Sequence, residues 1–337
     1  MSSRNAFTGF GLYINILLAI CLLGSSFAVF SQTGGAEKWP VRPIKMVIPF
    51  SAGGPLDHLA RKIGQKLTDA LGANVVIDNR AGANGIIGSD HVAKSLADGY
   101  TMLFMTGSFT ANPALYKKLP FDPIKDFIPV TQVGRSYGLV LVVNNSFSVQ
   151  SLKDLIALSK TRTGQLNYAS GGQGNLTHLA GELFNHLANI QMLHIPYKGS
   201  GPAMTDVLAK QVDMTFVSTV GSIQAIKEKR VIPMAISSSI RVPTLPEIPT
   251  FTELGFKEME QIYGWYGIWY PTGTPADRVE KVQNIVQQFL KHPDIKTHFD
   301  EIGLIPVGSS SSEFAQFITE DIMHQNKLFK IAKVATQ

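Results

Sequence analysis

The chain has 337 residues, 45% hydrophobic and 16% charged, a globular composition long enough to build two cores. Its formal charge of +5 comes from scattered Lys and Arg with no basic stripe interleaved with aromatics, so nucleic acid is excluded as a partner class. One cysteine, Cys21, rules out an intrachain disulfide and a cysteine-built metal site.

In chain order, the first element is a leader. Arg4 supplies a positive start, and YINILLAICLLG (13–24) is an apolar run too short for a comfortable membrane span. Ser26 and Ala28 then form a small-residue cleavage site. This predicts a signal peptide over 1–28 and export to the periplasm, with an uncleaved anchor as the rival reading. Ile20, just before Cys21, is bulkier than a lipid-attachment site wants.

From residue 44 the chain alternates strand and helix. IKMVIPF (44–50) is an apolar run of strand length. After it, Leu59, Ile63, Leu67 and Leu71 recur every four residues as the stripe of an amphipathic helix, with Pro55 in its first turn and Gly72 at its end. Strands follow at 74–79 and 100–108, the first of them leading into a glycine-rich loop and helix over 80–95. The pattern restarts at GLVLVVNNS (138–146), with a helix over 148–160 and a strand, LNYAS, that meets a second glycine turn. More strands are predicted at 192–197, 212–218 and 232–237, then a Pro-rich surface loop over 237–256. A return strand over 266–275 and a helix over 276–292 close the list. Apolar strands alternating with helices predict an α/β fold with mainly parallel sheets flanked by helices.

In such sheets ligands collect at the carboxyl ends of the strands. The stretch IPFSAGGPLDHLAR (48–61) puts Ser51, Ala52, Gly53 and Gly54 there, without the Lys-Ser/Thr of a nucleotide loop or a dinucleotide fingerprint. Asp57, in the first helical turn, reads either as a plain helix-start carboxylate or as an acceptor that holds the loop in shape. His58 and Arg61 read as solvated. The turn SGGQGNLTH repeats the construction in the other half, with Asn175 able to cap the helix and His178 read as a ligand or a loop brace. No His-Glu-x-x-His or paired histidine spacing points to a metal, and no loop serine sits in a Gly-x-Ser-x-Gly elbow.

Six blocks in order carry a resemblance: WPVRPIKMVIPFSAGGPLDHLAR, VVIDNRAGANGIIGSDHVAKSLADGYTMLF, NYASGGQGNLTHLAGELF, IPYKGSGPAMTDVLAKQVDMTF, LPEIPTFTELGF and PTGTP. From about Trp39 to the C-terminus the sequence resembles the Bug (Bordetella uptake gene) receptors of tripartite tricarboxylate transporters. The resemblance implies a two-domain periplasmic binding protein, type II-like, with the ligand in the interdomain cleft. Its domains would be 36–138 with 264–337, and 139–263. It implies a monomeric, non-catalytic receptor without cofactor or metal, which binds a small carboxylate and meets transporter membrane subunits. A sensor-coupled receptor and a secreted hydrolase are the alternatives. The implied jaws are Phe50, Ser51, Ala52, Gly53, Gly54 and Asp57 on one side, and Ser170, Gly171, Gly172, Gln173, Gly174 and His178 on the other. Asn84, Ser108, Tyr197, Lys198 and Asp213 are expected contacts from matching strand-end positions. Leu56 and Asn175 depart from the small polar residue and the serine common in relatives, and Leu56 hints at an apolar or aromatic portion on the ligand, or at a different packing of the loop.

Overall fold

β1 (Ile44–Ile48) is buried along nearly its whole length, which is why it reads as an unbroken apolar run. The computed structural model describes residues 38–334, so the expected leader and Cys21 lie outside the described residues. From Pro40 on, the chain belongs to one compact unit.

After β1, α1 (Pro55–Leu71) begins at Pro55 and ends at Gly72, whose φ of 68° and N–H bond to the Thr68 carbonyl make a left-handed cap. Leu59, Ile63 and Leu67 are its buried stripe, as the four-residue spacing predicts. β2 (Val75–Asn79), α2 (Ile86–Ala93) and β3 (Thr101–Thr106) follow. α3 (Ser108–Leu115) and β4 (Phe127–Ser136) come next, and neither is foreseen from the sequence. The second run is β5 (Leu139–Asn144), α4 (Leu152–Thr161), β6 (Asn167–Ser170), α5 (Leu176–Ala188), β7 (Leu193–Pro196), α6 (Ser200–Leu208), β8 (Met214–Ser218), α7 (Thr219–Lys227) and β9 (Val231–Ile236). The chain then returns through β10 (Trp265–Pro271), α8 (Ala276–Lys291), α9 (Pro293–Glu301), β11 (Leu304–Pro306) and α10 (Ser311–Ile331).

Two sheets result, in the orders β11-β4-β10-β3-β1-β2 and β7-β6-β8-β5-β9. Both are mixed, where the sequence reading expects mainly parallel ones. β1, β2 and β3 run parallel, as do β6, β7 and β8. In each sheet the strand that enters beside them, β10 or β5, runs antiparallel. The register then brings amino ends onto the carboxyl rim: Tyr266 opposes Thr106, and Leu139 opposes Ser218.

The Pro-rich segment is not merely a surface loop. Val242, Leu245, Ile248 and Phe251, three residues apart, are all buried, and the Phe251 ring packs edge-on against Phe184 at 5.5 Å. Its backbone also pairs with the end of β9, through Ile236 N–H to the Pro249 carbonyl and Phe251 N–H to the Ile236 carbonyl. The C-terminal end of α10 is a further tie. Leu328 and Phe329 share one apolar cluster with Ala111 and Leu115 of α3 and with Leu141 and Phe216 of the second sheet.

Candidate functional site

Five helices begin immediately after strands and bring their first residues to one cavity. These are Pro55 and Leu56 of α1, Ser108 of α3, Leu176 and Thr177 of α5, Ser200 of α6, and Ser218, which caps α7. A helix start carries N–H groups without intrahelical partners and about half a positive charge. The cavity measures about 70 Å³, and none of its seventeen lining residues is charged. Positive potential with no cationic side chain is a setting for a small anion. An adjoining space of about 260 Å³ shares Phe50 with it and is lined by Asn84, Gly171, Gly172, Gln173, Tyr197 and Lys198.

The two sides of this cleft touch. Ser51 donates from its N–H (3.2 Å) and its hydroxyl (2.9 Å) to the Lys198 carbonyl. Asn175 caps α5 by accepting from the Thr177 N–H at 3.0 Å. Its amide nitrogen meanwhile donates across the cleft to Asn84 Oδ1 (3.2 Å) and Ser108 Oγ (3.0 Å). Asn84 in turn donates to Asn112 Oδ1 at 2.8 Å. Glycine is required at two meeting points. A Cβ on Gly201 would lie 3.0 Å from the Gly54 nitrogen and 3.2 Å from the Gly53 carbonyl carbon. A Cβ on Gly174, whose φ is +73°, would strike Leu115.

Behind the glycine turns stand braces. Asp57 is buried and accepts from the Gly53 N–H (3.1 Å), from Arg61 (2.9 and 3.1 Å) and from Asn79 (3.0 Å). Burial pushes its carboxyl up, but these donors outweigh it and hold the carboxyl below the usual range. Of the two readings of Asp57, the loop holder matches this geometry; Arg61, expected to be simply solvated, is its partner. In the second turn, His178 Nδ1 accepts from the Gly174 N–H at 3.1 Å. Its ring stacks at 4.0 Å on His194, which bonds the Ser170 hydroxyl at 2.5 Å.

Burial depresses both imidazoles, His178 to about 3 with the His194 ring adding to the effect, and His194 to about 4. The unfolded chain takes up these protons near the ordinary 6.5, so stability is full above that pH and falls as pH drops toward the folded values. Each ring steepens the loss by up to about 1.4 kcal/mol per pH unit. Thermal melts between pH 7 and 4.5 are expected to show this decline. His194→Phe keeps a ring in the stack but cannot charge, and its profile is expected to be flatter.

The expected residues therefore separate. Phe50, Ser51, Gly54 and Ser108 line the small cavity, and Phe50, Asn84, Gly171, Gly172, Gln173, Tyr197 and Lys198 the adjoining one. Ala52, Gly53, Asp57, Ser170, Gly174 and His178 line neither and shape the turns. Lys198 acts in the cleft through its backbone carbonyl, while the Tyr197 hydroxyl donates to Asp206 at 2.5 Å. Asp213 does not join the cleft. It accepts from the Asn167 N–H at 2.8 Å at the amino ends of β6 and β8, the opposite end of the sheet from Ser170 and Ser218.

Sequence reasoning misses Leu139, Trp265 and Tyr266, which lie at amino ends of antiparallel strands, where the carboxyl-end rule does not look. Ser200 follows the predicted strand 192–197 and Ser218 ends the predicted strand 212–218, and that rule applied to them would have found both. The loop serines hold the jaws: Ser51 and Ser108 through the bonds above, and Ser170, fully buried, through Gly172 and His194. Among the described residues, no group of three or more His, Cys, Asp or Glu is placed to hold a metal ion.

Residues 59–334 match the family described as the tripartite tricarboxylate transporter family receptor, TctC. Protein BugT of Bordetella pertussis is 34% identical over 308 residues, 91% of this chain and 94% of BugT. The solved structure of the periplasmic binding protein BugD is 34% identical with a TM-score of 0.85, covering 89% of this chain and all of BugD. Rpa4515 of R. palustris, solved with adipate, is 33% identical with a TM-score of 0.85 over the same shares.

Proposed function

The chain belongs to the receptors of tripartite tricarboxylate transporters, solute-binding proteins rather than enzymes, and from that premise we propose that it captures a small organic carboxylate in the periplasm and hands it to transporter membrane subunits. The observation that carries this reading is the meeting of five helix starts, from both sheets, around one cavity without a charged side chain. A carboxylate there is held by helix dipoles already in position and by helix-start N–H groups, that of Thr177 excepted because Asn175 takes it, in a partly enclosed space that strengthens their pull relative to bulk water. The relative solved with adipate is a carboxylate-binding precedent for the fold.

In this reading the lobes are 36–138 with 264–337, and 139–263, and the chain crosses between them twice. The crossings are bonded to each other: Ser136 N–H donates to the Gly264 carbonyl (2.8 Å), and Gly264 N–H to Ser136 Oγ (3.1 Å). Such a paired crossing lets lobes hinge without losing register. Ligand binding favours the closed arrangement because the anion is surrounded only when both sets of helix starts converge. Residues 1–28 act as the export leader, and the mature chain works as a monomer with no cofactor.

A thermal-shift screen of organic acids on the chain lacking residues 1–28 tests the reading. At a hundred times its Kd, the true ligand adds about 2.7 kcal/mol and raises the melting temperature by several degrees. It is recovered chemically intact. A broad panel in which no acid shifts the transition rejects the carboxylate receptor.

A further inference from the structure

Asp321, midway along α10, is 2% exposed and lines neither space of the cleft. No lysine or arginine among the described residues pairs with it, and burial pushes its carboxyl up in spite of the donors around it. Those donors belong to the cavity wall. Oδ2 accepts from Trp265 Nε1 at 3.0 Å and lies 2.5 Å from the Thr110 hydroxyl. Trp265 lines the cavity, and Thr110 sits in the first turn of α3, whose Ser108 lines it too.

The bonds close a ring around the start of α3. Thr110 Oγ1 is 2.8 Å from the Gly107 carbonyl, and Gly107 also lines the cavity. A Cβ on Gly107 would lie 3.0 Å from Trp265 Nε1, so the N–H edge of the indole rests directly against this backbone. The indole also meets Phe314 and Phe317 of α10 edge-on, at 5.7 and 5.2 Å. Phenyl rings offer it no acceptor, so the contact that fixes where its N–H points is the bond to Asp321. Without that acceptor the buried N–H would be unpaired, and a turn of the ring toward the cavity would relieve it. Trp265 also directly follows Gly264, which is bonded to Ser136 at the chain crossing.

We propose that Asp321 is a positioning residue for ligand capture: from outside the cleft it holds the Trp265 indole against Gly107 and keeps the ring out of the ligand's space. Resting on the receptor reading above, this assignment makes the C-terminal helix part of the binding machinery although it never touches the ligand.

The test is calorimetric titration of the chain lacking residues 1–28 with malate, succinate, adipate and benzoate, and with the acid found in the screen where it is another. The proteins are the parent, Asp321→Leu, Asp321→Asn, Trp265→Phe and the double variant Trp265→Phe/Asp321→Leu. Asp321→Leu is expected to weaken the tightest of these acids about tenfold, the worth of one hydrogen bond. Asp321→Asn keeps an acceptor for the indole and is expected to lose less than about threefold. In the Trp265→Phe background no N–H needs holding, so removing Asp321 is expected to cost no further affinity. A merely structural Asp321 would lower the melting temperature without this non-additive loss of affinity. Asp321→Leu binding like the parent, or losing as much in the Trp265→Phe background, overturns the proposal and leaves the receptor reading standing. If Asp321→Leu does not fold, Asp321→Asn carries the test by NMR. The Trp265 indole N–H signal is then expected to shift and to exchange faster with water, and an unmoved signal overturns the proposal. Binding of none of these acids to the parent, nor of any in the broad panel, overturns both.

Discussion

Asn175→Asp is expected to lower ligand affinity about a thousandfold while moving the melting temperature of the ligand-free protein by only a few degrees. Aspartate caps a helix as well as asparagine does, so the bond from the Thr177 N–H survives and the start of α5 is kept. The new charge, however, stands in the wall of the cavity. Two like charges about 4 Å apart at an effective dielectric constant near 20 repel by about 4 kcal/mol, a thousandfold in affinity. The carboxylate would also face Asn84 Oδ1, an acceptor with no proton to give, which favours opening of the cleft. Calorimetry with the acid found in the screen, paired with a melt of the free protein, separates the outcomes. Intact affinity would mean that the anion does not sit at the start of α5. A large loss of stability without ligand would mean that the residue is structural only.

Gly201→Val is the second large effect, and it works through closure rather than charge. Gly201 has an ordinary helical place in α6, so a side chain there is no strain in itself. Its would-be Cβ meets backbone from the facing turn, 3.0 Å from the Gly54 nitrogen and 3.2 Å from Gly54 Cα. Backbone at a tight turn braced by Asp57 cannot swing aside as a side-chain tip can. Overpacking of this kind costs about 1–3 kcal/mol, which predicts a loss of affinity of about ten- to a hundredfold. Because the clash exists only when the jaws meet, the free protein should melt normally. Small-angle scattering should show the ligand-treated variant staying more expanded than the ligand-treated parent chain. A variant that closes and binds like the parent would show that the Gly54–Gly201 contact plays no part in gripping the ligand.

Both substitutions address residues whose importance the sequence shows unevenly. The first glycine turn is legible because apolar strand, glycine pair and amphipathic helix occur together, and local backbone chemistry permits little else there. Asn175 is legible as a cap, since capping is a local event. Its reach to Asn84 and Ser108 is not, because those partners lie 91 and 67 residues away. Asp213 shows the opposite error. Its place at an end of the predicted strand 212–218 suggests a rim residue, yet that end is the amino end, away from the rim, where Asp213 pairs with Asn167. The Pro-rich segment misleads in a similar way. Its turns are local, but the burial of Leu245 and Phe251 depends on the sheet they cover.

Local and periodic features were therefore determined by the chain itself: the alternation of strand and helix, the Gly72-capped end of α1, the two glycine turns, and a family pattern spanning nearly the whole sequence beyond Trp39. These depend on neighbours a few residues apart, where backbone geometry and the hydrophobic stripe act directly. Tertiary structure alone decided that β5 and β10 run against their neighbours, and so carried Leu139, Trp265 and Tyr266 to the rim. It also decided that Gly54 and Gly201 touch, and that five helix starts share one uncharged cavity. Those outcomes depend on how two sheets pack together, a matter of shape and long-range contact that no short window of sequence contains.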